Sequence, residues 1–162
     1  MDEQGFLDNN RRMEDLLGRR APLRVRRFAS PGAFLSEDES PDDVVLLPRR
    51  EVPEGAAVGD ELDVFVYLDS EDKPIATTTL PKVMRDRVAF LEVRDLTPFG
   101  AFVDWGLPKD LLVPKAEQLR DVRIGDRQPI GVYVDDTGRL AGTMRVSEML
   151  KAIGEFKLDE WV

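Results

Sequence analysis

The 162-residue chain contains neither cysteine nor histidine. Without cysteine there are no disulfide staples and no thiolate metal sites. Without histidine there are no Ser-His-Asp triads, zinc-binding histidine pairs or imidazole general bases. Any catalysis would have to rest on carboxylates, lysine, tyrosine or hydroxyls, and no nucleophile–base constellation stands out. The expectation is a non-enzymatic protein with no catalytic residue, metal or cofactor. The N-terminus is polar and acidic, and no apolar run approaches the ~20 residues of a membrane helix. A cytoplasmic protein that does not engage a membrane is expected. Aromatic residues make up only 7 % of the chain, so the position of each one is informative.

A net charge of −9 argues at first against a nucleic-acid partner. The charge is uneven, however. Residues 36–80 carry thirteen acidic and three basic groups, whereas residues 1–35 carry seven arginines against five acids. Residues 81–147 are close to neutral, with eleven basic and ten acidic groups. The acid is thickest in Ser36-Glu-Asp-Glu-Ser-Pro-Asp-Asp43, which reads as a solvated loop. A neutral-to-basic face elsewhere is compatible with this distribution.

What the chain does have is an internal duplication. Leu23-Arg-Val25 matches Leu91-Glu-Val93, and Gly32-Ala-Phe-Leu35 matches Gly100-Ala-Phe-Val103, both at an offset of 68. Beyond the acidic loop the offset becomes 66. It relates Leu46-Leu-Pro48 to Leu112-Val-Pro114, Glu51 to Glu117, and Val58-Gly-Asp60 to Ile124-Gly-Asp126. Tyr67, Asp69 and Thr77 follow with Tyr133, Asp135 and Thr143. The first copy therefore holds two extra residues between its second and third strands, inside the acidic loop.

Each copy shows five short strand-like runs. In the second they fall near 88–96, 100–105, 110–113, 127–134 and 139–144, with a helical turn at Lys115–Leu119. Ala101, Val103 and Trp105 share core parity, which leaves Phe102 on the outer face. Asp69-Ser-Glu-Asp72 and Asp135-Asp-Thr-Gly138 read as hairpin turns. Five strands and a helical turn in about sixty residues match a small Greek-key OB barrel. The fold class is all-β: two tandem five-stranded OB barrels with short helices at the N- and C-terminal ends. The expected organisation is an arm with a short helix (1–20), a first barrel (21–80), a second barrel (81–146), and a helix opening a further module (147–162). An ending on Trp161-Val162 points to an N-terminal fragment of a longer protein.

Phe99-Gly-Ala-Phe-Val103 followed by Leu111-Leu-Val-Pro114 resembles the S1-type RNA-binding barrel, with proline where that family carries histidine. Three longer phrases resemble the conserved virulence factor B family over residues 21–150. They are Leu46-Leu-Pro-Arg-Arg-Glu-Val-Pro53, Val64-Phe-Val-Tyr-Leu-Asp-Ser-Glu-Asp72 and Asp104-Trp-Gly-Leu-Pro-Lys-Asp-Leu-Leu-Val-Pro114. The resemblance implies a bacterial cytoplasmic binder of single-stranded RNA that regulates expression. It also implies a third barrel and a winged helix beyond the present chain.

On that basis Phe99 and Phe102 are candidate stacking residues, with Arg94, Lys109, Lys115 and Arg139 as candidate phosphate contacts. In the first copy Phe34 takes the place of Phe102, with Arg24, Arg26, Arg49 and Arg50 nearby. The acidic loop favours the second copy as the stronger RNA site. Glu51 and Glu117, equivalent in the two copies, are expected to be structural. The alternative is a protein-interaction module that docks on ribosome, polymerase or RNA-decay nuclease components.

Overall fold

A computed structural model of the chain describes residues 15–37 and 43–160, with side chains through Gly154. Most of the expected N-terminal helix, most of the acidic loop, and the side chains of Phe156 and Trp161 lie outside the described residues. The chain divides into two compact units, Met1–Leu80 and Pro81–Val162.

In the first unit, alternation sets the first strand. Ala21, Leu23 and Val25 are buried, while Pro22 and Arg24 face water. Strands β1 (Arg20–Ala29), β2 (Gly32–Ser36), β3 (Val45–Pro48), β4 (Glu61–Leu68) and β5 (Pro74–Thr77) close into a barrel in the order β1-β2-β3-β5-β4. β1 is long because it pairs antiparallel with both β2 and β4. The barrel is sealed by a parallel contact between β3 and β5 at Leu46 and Ile75. Leu23, Val25, Leu35, Leu47, Val64 and Val66 fill the interior, each at 0 % exposure.

The second unit repeats the plan with β6 (Val88–Thr97), β7 (Gly100–Asp104), β8 (Leu111–Pro114), β9 (Arg127–Val134) and β10 (Leu140–Thr143). These strands lie within a few residues of the runs expected from the sequence. Their order is β10-β9-β6-β7-β8. The ladder is not closed by hydrogen bonds, yet β10 lies against β8: a Cβ on Gly142 would come within 2.9 Å of Val113 Cγ2. Trp105 plugs this barrel at 3 % exposure and donates its indole N–H to the Lys109 carbonyl at 2.7 Å. The all-β expectation of two tandem five-stranded OB barrels holds.

The duplication extends to the structural devices. Asp69 Oδ1 accepts from the Glu71 and Lys73 amides, as Asp135 Oδ1 does from Thr137 and Arg139. Glu51 accepts from the Thr77 hydroxyl at 2.5 Å and Glu117 from the Thr143 hydroxyl at 2.6 Å. Each glutamate ties the short 3-10 turn after the third strand to the end of the fifth, a structural role as expected. The repeat also reaches further upstream than sequence identity does. Leu17 bridges to Val66 and Arg85 bridges to Val132 in the same parallel sense. The Gly18 and Asp86 amides then donate to the Val66 and Val132 carbonyls at 2.7 and 2.8 Å.

Helix α1 (Val146–Glu160) contains the expected 147–153 segment and is interrupted at Gly154. Its Met149 covers β9 so closely that a Cβ on Gly131 would meet the Met149 sulfur at 2.7 Å. The equivalent position on β4 is Phe65, whose own ring is fully buried.

Candidate nucleic-acid interface

The outer face of the first three strands is shaped by a β-bulge that occurs once in each barrel. Pairing of β1 with β2 slips between Val25 and Arg27, and pairing of β6 with β7 slips between Val93 and Asp95. The extra residue reverses the inside–outside alternation. Arg26 and Arg27 are therefore consecutive outward residues on β1, and Arg94 and Asp95 are consecutive outward residues on β6. Arg27 sits across from Phe34, and Asp95 sits across from Phe102. On their other side these rings face Leu46 and Leu112.

In the second barrel Phe102 is half-buried in the middle of β7. Phe99 stands at the tip of the β6–β7 loop with 77 % of its surface exposed. The loop is folded by the Thr97 hydroxyl, which donates to the Gly100 carbonyl and accepts from the Phe99 amide. The Phe99 carbonyl accepts from the Lys115 amide at 3.1 Å. Phe99, Phe102 and Lys115 thus share one end of the face. Arg94 lies towards the other end, at 3.6 Å from Asp104 and 3.3 Å from Asp110. Lys109 is on the loop closed by Trp105, and Arg139 is on the β9–β10 hairpin, where its amide binds Asp135. The structure therefore gathers three of the six candidates in this barrel and distributes the others along its rim.

The electrostatics of this face are mixed. Hydrogen bonds from the Lys82 ammonium and the Gly106 amide, with Arg94 adding attraction, hold the Asp104 carboxyl below its usual range. Burial, reinforced by Asp104 and Asp95, pushes Asp110 up against the opposing pull of Arg94. Arg94 thus pairs with two carboxylates, and a third, Asp95, stands across from Phe102.

In the first barrel the Arg27 guanidinium lies over the Phe34 ring, 4.0 Å from its centroid. Arg26 donates to the Ser36 hydroxyl at 2.8 Å. Arg24 is turned towards the Gly59 carbonyl and, at 3.9 Å, Glu61. Arg49 and Arg50 are exposed on the 3-10 turn after β3, where the Arg49 amide fastens the turn to the Pro31 carbonyl at 2.9 Å. Phe34 and Arg49 share one end of the face, Arg26 lies towards the other end as Arg94 does, and Arg24 serves the barrel rim.

Arg27 is the candidate residue that alternation misses, since without the bulge it would point inwards. A signal was present: both copies break the apolar/polar rhythm with two consecutive polar residues, Arg26-Arg27 and Arg94-Asp95. Tyr67 and Tyr133 complete the outer row on β4 and β9. Burial first, and Glu117 second, push the Tyr133 phenol up to about 12, so it remains a neutral hydrogen-bonding group. Among the described residues no cluster of acidic, histidine or cysteine side chains could hold a metal ion, and no helix is long and apolar enough to cross a membrane.

Comparison with known proteins agrees with this geometry. The family model described as "S1 domain" matches residues 17–79 and again 87–145, one match in each unit. An uncharacterized protein of Bacillus subtilis, YitL, is 35 % identical over 97 residues, covering 59 % of this chain and 32 % of the relative. Conserved virulence factor B of Staphylococcus epidermidis is 30 % identical over 121 residues, covering 68 % of this chain and 41 % of the relative. The chain thus spans about a third to two fifths of these relatives. A crystal structure of a multidomain protein with nucleic acid binding domains from Streptococcus pneumoniae superposes with a TM-score of 0.65 at 24 % identity. That match covers 79 % of this chain and 45 % of the other and shows a shared fold.

Proposed function

The chain belongs to the S1-domain family, with one domain in each unit and kinship to conserved virulence factor B, and from that premise we propose that it is a non-enzymatic, cytoplasmic binder of single-stranded RNA with a role in regulating expression. The observation that carries this reading is a matched pair of rings. Phe34 and Phe102 occupy the same register position on the outer face of the two barrels. Each lies on a strand whose N-terminal end is flanked by a cation-bearing turn, Arg49-Arg50 in one barrel and Lys115 in the other. Half-buried rings beside exposed cations provide stacking for bases and neutralisation for phosphates.

Binding of a single-stranded RNA oligonucleotide should be weak, with log affinity falling against log salt by about 0.7 for each phosphate neutralised. Replacing Phe34 and Phe102 together by alanine should weaken binding by about 1–3 kcal/mol for each ring that stacks on a base. Unchanged affinity in the folded double variant would remove the outer face from the site. Docking onto a ribosomal, transcription or RNA-decay protein is a second reading, favoured by Phe90 and Phe99, which are 63 % and 77 % exposed. That reading expects RNA binding to be absent or insensitive to salt.

A further inference from the structure

The two faces are not equivalent, and comparing them position by position separates their roles. The bulged arginine is shared, Arg26 in one barrel and Arg94 in the other. Its surroundings are not: Asp95, Asp104 and Asp110 of the second barrel correspond to Arg27, Ser36 and Val44 of the first. At these three positions the first barrel lacks the carboxylates and carries one guanidinium. Arg94 is committed to Asp104 and Asp110, whereas among the described residues Arg26 donates to the neutral hydroxyl of Ser36. Phe102 faces a carboxylate across the strand pair, while Phe34 carries a guanidinium on its ring.

We infer that, within the RNA-binding reading proposed above and resting on it, the first barrel carries the binding, with Arg27 laid on Phe34 as a cationic stacking platform for a base, while the second barrel is held weak by Asp95. This reverses the ranking drawn from the acidic loop. A planar guanidinium supported on an aromatic ring offers a base a second flat surface and places positive charge beside the adjoining phosphate. Because the bulge turns position 27 or 95 outwards, its charge can change while the buried residues stay as they are. The acidic segment after β2 opposes RNA through its charge alone. At ~0.15 M salt its field decays over about 8 Å, whereas contact at Arg27 is direct.

The test uses the whole chain and a fluorescent oligouridine of about twelve nucleotides, within the range one to a few OB barrels occupy. Anisotropy is read at ~0.15 M salt. Arg27→Asp should weaken binding at least about tenfold, the scale of one lost base stack. Arg27→Lys, which keeps the charge but loses the plane, should fall between the two. Asp95→Arg should tighten binding severalfold by rebuilding the platform on Phe102, and a gain of function cannot be ascribed to misfolding. If the native chain binds but Arg27→Asp and Asp95→Arg both leave affinity unchanged, the assignment to the first barrel is overturned and the RNA-binding reading survives. If Asp95→Arg tightens binding while Arg27→Asp does nothing, the second barrel is the site and the assignment falls. If the native chain shows no saturable binding, the RNA-binding reading itself falls.

Discussion

Gly100 is the residue on which the second barrel most depends, and Gly100→Ala is the sharpest test of the fold. Its φ is +155°, a backbone region where side chains are rarely accommodated. A Cβ placed there would lie 2.2 Å from the Val113 carbonyl oxygen and 2.9 Å from Pro114 Cα, both main-chain atoms of β8. Restoring an ordinary contact of ~3.0 Å requires β7 and β8 to part by about 0.8 Å, which carries a ladder bond of normal length beyond the hydrogen-bonding range. Two such bonds at about 1 kcal/mol each, with about 1–3 kcal/mol of backbone strain, give a loss of about 3–5 kcal/mol. A domain of this size has only ~4–12 kcal/mol in all. With a urea slope of ~1–1.5 kcal/mol per molar, the midpoint of the second barrel should fall by about 2–5 M. Trp105, buried in that barrel, makes tryptophan fluorescence a direct readout. Gly32→Ala should produce the matching loss in the first barrel, because a Cβ there would meet the Leu47 carbonyl oxygen at 2.1 Å. Amide exchange along β1 and β2 would register it. A Gly100→Ala unfolding free energy within about 1 kcal/mol of native would refute the reasoning, since it would mean the strand pair can open without losing its ladder.

Two further predictions follow from buried polar contacts. Thr143→Val removes the hydroxyl that Glu117 accepts from at 2.6 Å, at a site only 2 % exposed. It should cost about 1–2 kcal/mol in urea unfolding, and a loss below about 0.5 kcal/mol would show that Glu117 re-solvates freely. Asp104 has a folded pKa below its ordinary value of 3.8, chiefly through Lys82. Its stabilising contribution is therefore complete above that value and is lost as pH falls through the folded one. Asp104→Asn should flatten the acid limb of the stability–pH curve, and an unaltered limb would place the acid sensitivity elsewhere.

The duplication made much of the fold legible from residues alone. Matching phrases at fixed offsets located the glycines at Gly32 and Gly100, the Asp69 and Asp135 turns and the Glu51 and Glu117 ties, because each meets a local requirement written in residue type. The upstream bridges were not legible. Leu17-Gly18 and Arg85-Asp86 make the same main-chain bonds with different side chains, and main-chain pairing leaves little trace in composition. The pairing of Arg94 with Asp104 and Asp110 depends on register across strands, which alternation cannot supply. The bulge was the decisive omission. One additional residue reverses the parity of the rest of the strand, moving Arg27 from an apparent inward position to the ring of Phe34.

The exchange of Phe65 for Gly131 has a consequence for synthesis. The first barrel carries the ring that fills this place on one of its own strands, so its five strands are all present once Thr77 has left the ribosome. The second barrel leaves the same place to Met149, six residues beyond the last residue of its final strand. Its β9 surface remains uncovered until helix α1 emerges. The nascent chain therefore completes its two barrels in order, with the first already folded while the second still waits for its cover.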